Sequence, residues 1–289
     1  MRYTKRFFSF LSIVPLLFFG GCFGVDETPK TDFNPYMPPS FEEDYIEYLS
    51  ETPSSEPPQI LGPFIWNNQD ADISYIDPAR KLISFTFDDT PSKMLENILA
   101  VFAAYNEQNP DCKATANLFV NGTLVDASSV HLLHLAYSSG FELGNHTHSH
   151  FDLTTLTEEE LRREIDLTDQ VLSQIDGKPR HLLRAPFGRT NELFKTVAES
   201  PIIDWSIDTL DWTDASADEI YQRVMSEKFS GAIVLMHDGY QETVEALKRL
   251  LPDLKTEGYQ IVNVSTMAKA HDCPLKNGSI YIRARKKQR

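Results

Sequence analysis

From Lys81 onward the chain alternates between two patterns of apolar positions. Short apolar runs bounded by turn residues read as buried strands: "LISFTF", "NLFV", "FELG", "HLLRA", "IIDWSI", "AIVLM" and "QIVNV". Between them, apolar residues recur on one helical face. Leu95, Ile98, Leu99 and Phe102 do so after Ser92, and Leu247, Leu250, Leu251 and Leu254 do so near the end. Two capping boxes open further helices. "TEEE" from Thr157 precedes Leu161, Ile165 and Leu172, and "SADE" from Ser216 precedes Ile220 and Val224. Seven strands alternating with helices predict a mainly parallel α/β domain, either a barrel or a doubly wound sheet.

The region before Ile60 follows neither pattern. "MRYTKR" is basic, "FFSFLSIVPLLFF" is apolar but broken by Pro15, and "GGC" brings small residues up to Cys22. "FFGGC" is similar to a bacterial lipobox, which implies cleavage before Cys22 and a lipid on its thiol. Residues 22–59 hold seven prolines and nine acids against Lys30, a composition that favours an extended tether over a packed element. The predicted organisation is a signal peptide over 1–21, the tether over 22–59 and an N-terminal extension over 60–80 that packs on the domain. The α/β domain then spans 81–272, with a basic tail over 273–289.

The formal net charge is −15, and cleavage would remove three basic residues and no acids, leaving −18. Such a surface repels polyanions, so nucleic acid is excluded as the main partner, and no protein partner is predicted. With Cys22 lipidated, Cys112 and Cys273 remain, and an oxidising extracytoplasmic compartment permits a disulfide between them.

In α/β folds functional groups gather at the carboxyl ends of strands. Here "LISFTF" ends in Asp88 and Asp89, and "FELG" leads to "HTHSH" over 146–150. "HLLRA" ends near Arg184, "IIDWSI" leads to Asp211 and Trp212, and "AIVLM" to His237 and Asp238. Two adjacent carboxylates repel unless a cation relieves them. A divalent metal can take one as a ligand and lower the pKa of water, while the other acid accepts the proton. Imidazoles complete such a site. On a helical turn His146 and His150 share a face and His148 points elsewhere; in an extended segment all three line one side.

"TFDDTP", "NHTHSH", "RAPFG", "DTLDW" and "LMHDG", in this order, resemble the five motifs of the NodB-homology polysaccharide deacetylases, carbohydrate esterase family 4. The resemblance spans roughly residues 82–267 and implies a distorted (β/α) barrel of about seven parallel strands. It implies Asp88 as the catalytic base and Asp89, His146 and His150 as metal ligands, with His148 outside the set. Arg184 would orient the base and Asp211 would hold Arg184. The Phe187 N–H would meet the developing oxyanion, Trp212 and Leu235 would wall the acetyl group, and His237 would be the general acid. The metal implied is Zn²⁺, with Co²⁺ or Ni²⁺ suiting the same donors.

The implied reaction is hydrolysis of N-acetyl groups on an envelope polysaccharide such as peptidoglycan or an N-acetylglucosamine polymer, with release of acetate. It would take place outside the cytoplasm, at a membrane holding the lipid on Cys22. The alternatives are an acetyl xylan esterase or chitin oligosaccharide deacetylase, and a lipoprotein that binds glycan without turnover. Two positions depart from the family pattern. Thr90 stands where Gly is usual, and a β-branched residue accepts positive φ poorly. Asn117 stands where Thr is frequent.

Overall fold

The computed structural model describes residues 64–285. The predicted signal peptide, Cys22 and the tether lie outside the described residues. One parallel sheet organises the domain: β1 (Lys81–Thr90), β2 (Asn117–Val120), β3 (Glu142–Asn145), β4 (Leu182–Leu183), β5 (Ile202–Ile203), β6 (Ile207–Asp208), β7 (Ala232–His237), β8 (Tyr259–Ile261) and β9 (Ile280–Tyr281). The order is β6-β7-β1-β2-β3-β4-β5-β9, with β8 also pairing β1. The sheet curls into the distorted (β/α) barrel expected. β1 is its longest strand and is buried nearly throughout, as a parallel strand covered on both faces must be.

The barrel's seam explains its distortion. "IIDWSI" was expected as one strand, but it divides into β5 and β6, which pair with β4 and β7 at opposite ends of the sheet order. Asp204, Trp205 and Ser206 therefore carry the chain across the opening. Residues expected as a basic tail are also used. β9 adds to β5, Ala284 is buried, and an antiparallel bridge joins Arg283 to Ala232 at the start of β7.

Among the described residues seven α-helices surround the sheet: α1 (Leu95–Gln108), α2 (Val130–Ser138), α3 (Glu158–Asp176), α4 (Glu192–Val197), α5 (Ala217–Glu227), α6 (Gln241–Thr256) and α7 (Val264–Ala270). Both capping boxes form, at Thr157/Glu160 opening α3 and Ser216/Glu219 opening α5. Each leaves two otherwise orphaned N–H groups satisfied. The apolar faces read from the sequence on α1, α3, α5 and α6 are buried.

The main core gathers Phe85, Phe87, Phe102, Leu118, Val234 and Leu250 with their neighbours. Trp66, Tyr75 and Ile76 pack on a second cluster around Leu82, Val264 and Met267. Asn117 now has a physical role. Its Nδ2 donates to Glu142 Oε2 at 2.8 Å, and its Oδ1 accepts the Val264 N–H at 2.8 Å, fixing the start of α7 to the base of β2 and β3. No disulfide joins Cys112 to Cys273. Cys112 is buried, its sulfur near the Tyr105 hydroxyl and the Tyr259 carbonyl.

Candidate active site

Parallel register brings the predicted residues together at the carboxyl end of the sheet. Asp88 at the end of β1 lies beside His237 at the end of β7. Asn145 at the end of β3 lies beside Leu183, and His146 follows immediately. Asp89, His146 and His150 each offer a ligand atom, and these atoms lie within 4.8 Å of one another. His150 Nε2 is 3.2 Å and His146 Nε2 3.6 Å from Asp89 Oδ1. His146 Nδ1 is 2.9 Å from the Arg184 carbonyl. A carbonyl only accepts, so the proton sits on Nδ1 and leaves the Nε2 lone pair facing the acids, the tautomer a metal ligand needs. Two imidazoles and a carboxylate converging with one side open fit a divalent cation in a catalytic arrangement.

His148 is not in this group. Its Nδ1 is buried without a partner, packed so close to Gly122 that a Cβ there would meet it at 2.5 Å. The choice between a helical turn and an extended segment resolves as neither. Thr147 and His150 both take left-handed φ, 68° and 55°, so the loop coils and sends His148 away from His146 and His150. Of six non-glycine residues with positive φ among those described, five belong to this site: Asp89 near the end of β1, and Thr147, His150, Phe187 and Leu210 after later strands. Such conformations cost about 1–3 kcal/mol each and persist only where surroundings enforce them.

Thr90 does not carry the strain its β-branch raised as a concern. The left-handed residue is Asp89, with φ 57°, while Thr90 remains in β1, buried, its carbonyl accepting the Asn121 N–H at 2.9 Å.

Two buried pairs flank the trio. Arg184 is almost fully enclosed. It donates through one terminal nitrogen to Asp88 Oδ1 and Thr86 Oγ1, both at 2.7 Å, through Nε to the Ile203 carbonyl and through the other terminal nitrogen to the Asp204 carbonyl. Its guanidinium also lies over the Phe119 ring, 4.2 Å from the centroid. Asp211 accepts from His237 Nδ1 at 2.8 Å, and from the His237 N–H and the Thr243 hydroxyl at 2.7 Å. This corrects the expectation that Asp211 holds Arg184: Thr86 and the seam carbonyls do so, and Asp211 serves His237. Burial alone would depress the His237 imidazole, but the Asp211 carboxylate outweighs it and the value rises to about 9. At His150 burial prevails, aided by His146, and the imidazole is shifted downward.

The remaining predicted residues occupy the rim and floor. Phe187 is 61% exposed, its ring edge-on to His150 at 4.7 Å between centroids, and its N–H takes part in none of the described hydrogen bonds. Trp212 is 52% exposed beside Asp211. Leu235 is buried on the same face of β7 as His237, two residues beneath it. Sequence reasoning missed Thr86, Thr243 and Tyr240, whose ring stands perpendicular to His237 at 6.2 Å. It also missed the supports of the histidine loop. Asn145 Oδ1 accepts the Thr147 N–H, its Nδ2 donates to Asp169, and Glu164 accepts the Ser149 N–H at 2.7 Å. The "TFDD" and "GNHT" contexts of Thr86 and Asn145 were the only signals available.

Comparison with known proteins adds independent findings. The polysaccharide deacetylase family model matches residues 76–201. The chain is 32% identical over 213 residues to a peptidoglycan-N-acetylglucosamine deacetylase of Bacillus cereus, covering 71% of this chain and 74% of that one. It is 32% identical over 193 residues to the peptidoglycan-N-acetylmuramic acid deacetylase PdaC of Bacillus subtilis, covering 66% of this chain and only 40% of PdaC. A family 4 acetyl xylan esterase from Clostridium thermocellum, solved with a cobalt ion, superposes with a TM-score of 0.65 at 25% identity, over 70% of this chain and 98% of that one.

Proposed function

The chain belongs to the polysaccharide deacetylase family, and on that premise we propose that it removes N-acetyl groups from a cell-envelope polysaccharide, releasing acetate. The observation that carries this reading is the placement of two buried pairs, Arg184–Asp88 and Asp211–His237, on either side of Asp89, His146 and His150. One pair is built to take a proton and the other to give one. The names of the Bacillus relatives support peptidoglycan as the substrate.

A divalent cation held by Asp89, His146 and His150 would act as a Lewis acid, making water acidic and drawing charge from the acetyl carbonyl; Zn²⁺, Co²⁺ and Ni²⁺ all suit these donors. Asp88 accepts the proton of the attacking water, with Arg184 fixing its other oxygen and compensating its charge. The Phe187 N–H donates to the carbonyl oxygen as negative charge develops there. Protonated His237, held by Asp211, gives its proton to the departing amine. Trp212 at the exposed rim and Leu235, buried two residues before His237, wall the acetyl group.

Lipidation at Cys22 would hold the enzyme at the outer face of a membrane, with residues 22–59 giving it reach into the envelope; one lipid chain anchors weakly and two hold firmly. No helix among the described residues is long and apolar enough to cross a membrane. Cys22→Ala is expected to move the protein from the membrane fraction to the soluble extracytoplasmic fraction. Continued membrane retention would refute a lipid anchor at that residue.

The direct test is acetate release by the purified chain given peptidoglycan, N-acetylglucosamine oligomers and acetylated xylan in parallel, with and without added Zn²⁺ or Co²⁺. Release from peptidoglycan or the oligomers that Asp88→Asn lowers at least 10³-fold supports the proposal. Preference for xylan would make it an O-acetyl esterase, and metal binding without release from any of these would favour a glycan-binding role.

A further inference from the structure

Two groups assigned to the reaction, Arg184 and the Phe187 N–H, are three residues apart but are held very differently. Arg184 is enclosed and bonded to Asp88, Thr86 and two carbonyls of the seam. Phe187 sits in a short turn over Pro186–Gly188. Phe187 and Gly188 both take left-handed φ there, 59° and 65°. The turn's own hydrogen bonds run from the Gly188 N–H to the Ala185 carbonyl and from the Arg189 N–H to the Pro186 carbonyl, both 3.1 Å. A left-handed phenylalanine persists only where its surroundings enforce it.

Two sets of contacts bear on this turn. On the exposed side, the Phe187 ring meets the His150 ring edge-on, and Arg189 lies 5.8 Å from the same ring while pairing with Asp152. The Arg189 side chain is 64% exposed, so salt screens that ion pair and it holds weakly. On the protein side the turn rests on the half-buried Trp205. A Cβ at Gly188 would meet the indole at 2.9 Å, so any larger residue there would have to displace the ring. The same ring has its centroid 5.8 Å from the Arg184 guanidinium.

Trp205 is able to act as a stop because the seam is fixed on both sides of it. The Asp204 N–H donates to the Tyr281 carbonyl of β9 at 2.9 Å, and the Ser206 N–H to the Ile233 carbonyl of β7 at 2.9 Å. The Ile233 N–H returns a bond to Ser206 Oγ at 3.1 Å. One three-residue segment thus offers a carbonyl to Arg184 and an indole face to the turn that carries Phe187.

We infer that Trp205 is a positioning residue for deacetylation, a brace that fixes the Phe187 N–H relative to the Arg184–Asp88 pair. It acts through Gly188 and Arg184 and not on the substrate. The roles of Phe187 and Asp88 rest on the proposed function; the packing does not. The base and the oxyanion donor address the same acetyl carbonyl, one through the attacking water and one at its oxygen. Their separation is therefore what the chemistry senses, and a misplacement of about 1 Å costs on the order of 10²-fold.

The test combines kinetics with amide hydrogen exchange in Trp205→Ala, Trp205→Phe and Gly188→Ala. Trp205→Ala should lower kcat on the N-acetylglucosamine trimer about 10- to 100-fold, with KM and Zn²⁺ affinity unchanged, and Trp205→Phe should recover most of the loss. Gly188→Ala should lower kcat in the native background and do less harm once Trp205 is Ala. Exchange at the Gly188 and Arg189 amides should quicken in Trp205→Ala and return toward native in Trp205→Phe. The Thr147 and Ser149 amides, bonded elsewhere, should not change and so report an intact fold. Should Trp205→Ala fail to fold, Gly188→Ala paired with Trp205→Phe carries the same test, and the smaller ring should restore part of kcat. A raised KM with kcat kept would make Trp205 a substrate contact and overturn the inference. So would unchanged exchange, or unchanged kcat in an enzyme that releases acetate. If the native chain releases no acetate from any substrate, the proposed function fails while exchange still decides the brace.

Discussion

At the scale of single residues, the correction at Asp211 changes what the site should do with pH. His237 is lifted to about 9 by Asp211, so it remains protonated across the neutral range. As general acid it works only in that form, so the basic limb of the rate should fall no higher than about 9. A cation at the neighbouring ligands pulls it lower. Asp211→Asn removes the strongest lifting partner and leaves burial opposed only by the charges of Asp88 and Asp89, so the imidazole falls toward 6.5. At pH 8 the protonated fraction, and the rate with it, should drop by up to roughly 30-fold. Activity should partly return on the acid side. An Asp211→Asn enzyme with an unshifted basic limb would exclude His237 as the acid. The sequence could not show which neighbour Asp211 faces. That depended on β6 pairing with β7, Asp208 beside Leu235, and not with the strand that ends at Arg184.

At the scale of elements, α3 acts as a shelf for the histidine loop. Glu164 receives the Ser149 N–H, and Asp169 and the Ile165 carbonyl receive Asn145, which in turn holds Thr147 at its left-handed φ. Outer supports of metal ligands typically contribute 10- to 100-fold in affinity. Glu164→Ala should therefore weaken Zn²⁺ binding by about tenfold, measured by competition against a chromogenic chelator, while Glu159→Ala on the exposed first turn of α3 should not. Equal affinities in the two variants would deny the shelf any part in binding. At this scale the sequence was informative wherever the signal was local. The capping boxes at Thr157 and Ser216 and the buried faces of α1, α3, α5 and α6 were all readable from spacing. What was not readable was set by distant contacts. The break in "IIDWSI" comes from closing a barrel, β9 exists only because β5 offers it an edge, and Asn117 makes sense only once Glu142 and Val264 stand beside it. Thr90 shows the limit of reading a turn by analogy, since the left-handed residue is one position earlier.

At the scale of the whole molecule, the same physics reaches away from the cleft. His181 is fully buried, with Nδ1 2.8 Å from Asp169 and Nε2 3.0 Å from Asp176. Burial alone would lower the imidazole, but the two carboxylates outweigh it and raise it to about 9. A group whose pKa is higher in the folded than in the unfolded chain contributes stability that is fully present below the unfolded value. That stability is then lost as pH rises to the folded one. For His181 the window runs from 6.5 to about 9, and His237 adds in the same direction over the same window. Asp238, pushed by burial from 3.8 to about 7, acts in the same sense earlier, between those values. The His181 contribution is on the order of 3 kcal/mol. A domain of this size shifts about 2–4 °C per kcal/mol, so His181 alone should lower the melting temperature of the metal-free protein by roughly 5–10 °C between pH 6.5 and pH 9, and His237 adds to that fall. His181→Gln should start less stable at pH 6.5 and show a flatter decline. A melting temperature that stays level or rises across this window would mean that the cluster around His181 does not keep its proton in the folded state, and that α3 is fixed to β4 by packing rather than by charge.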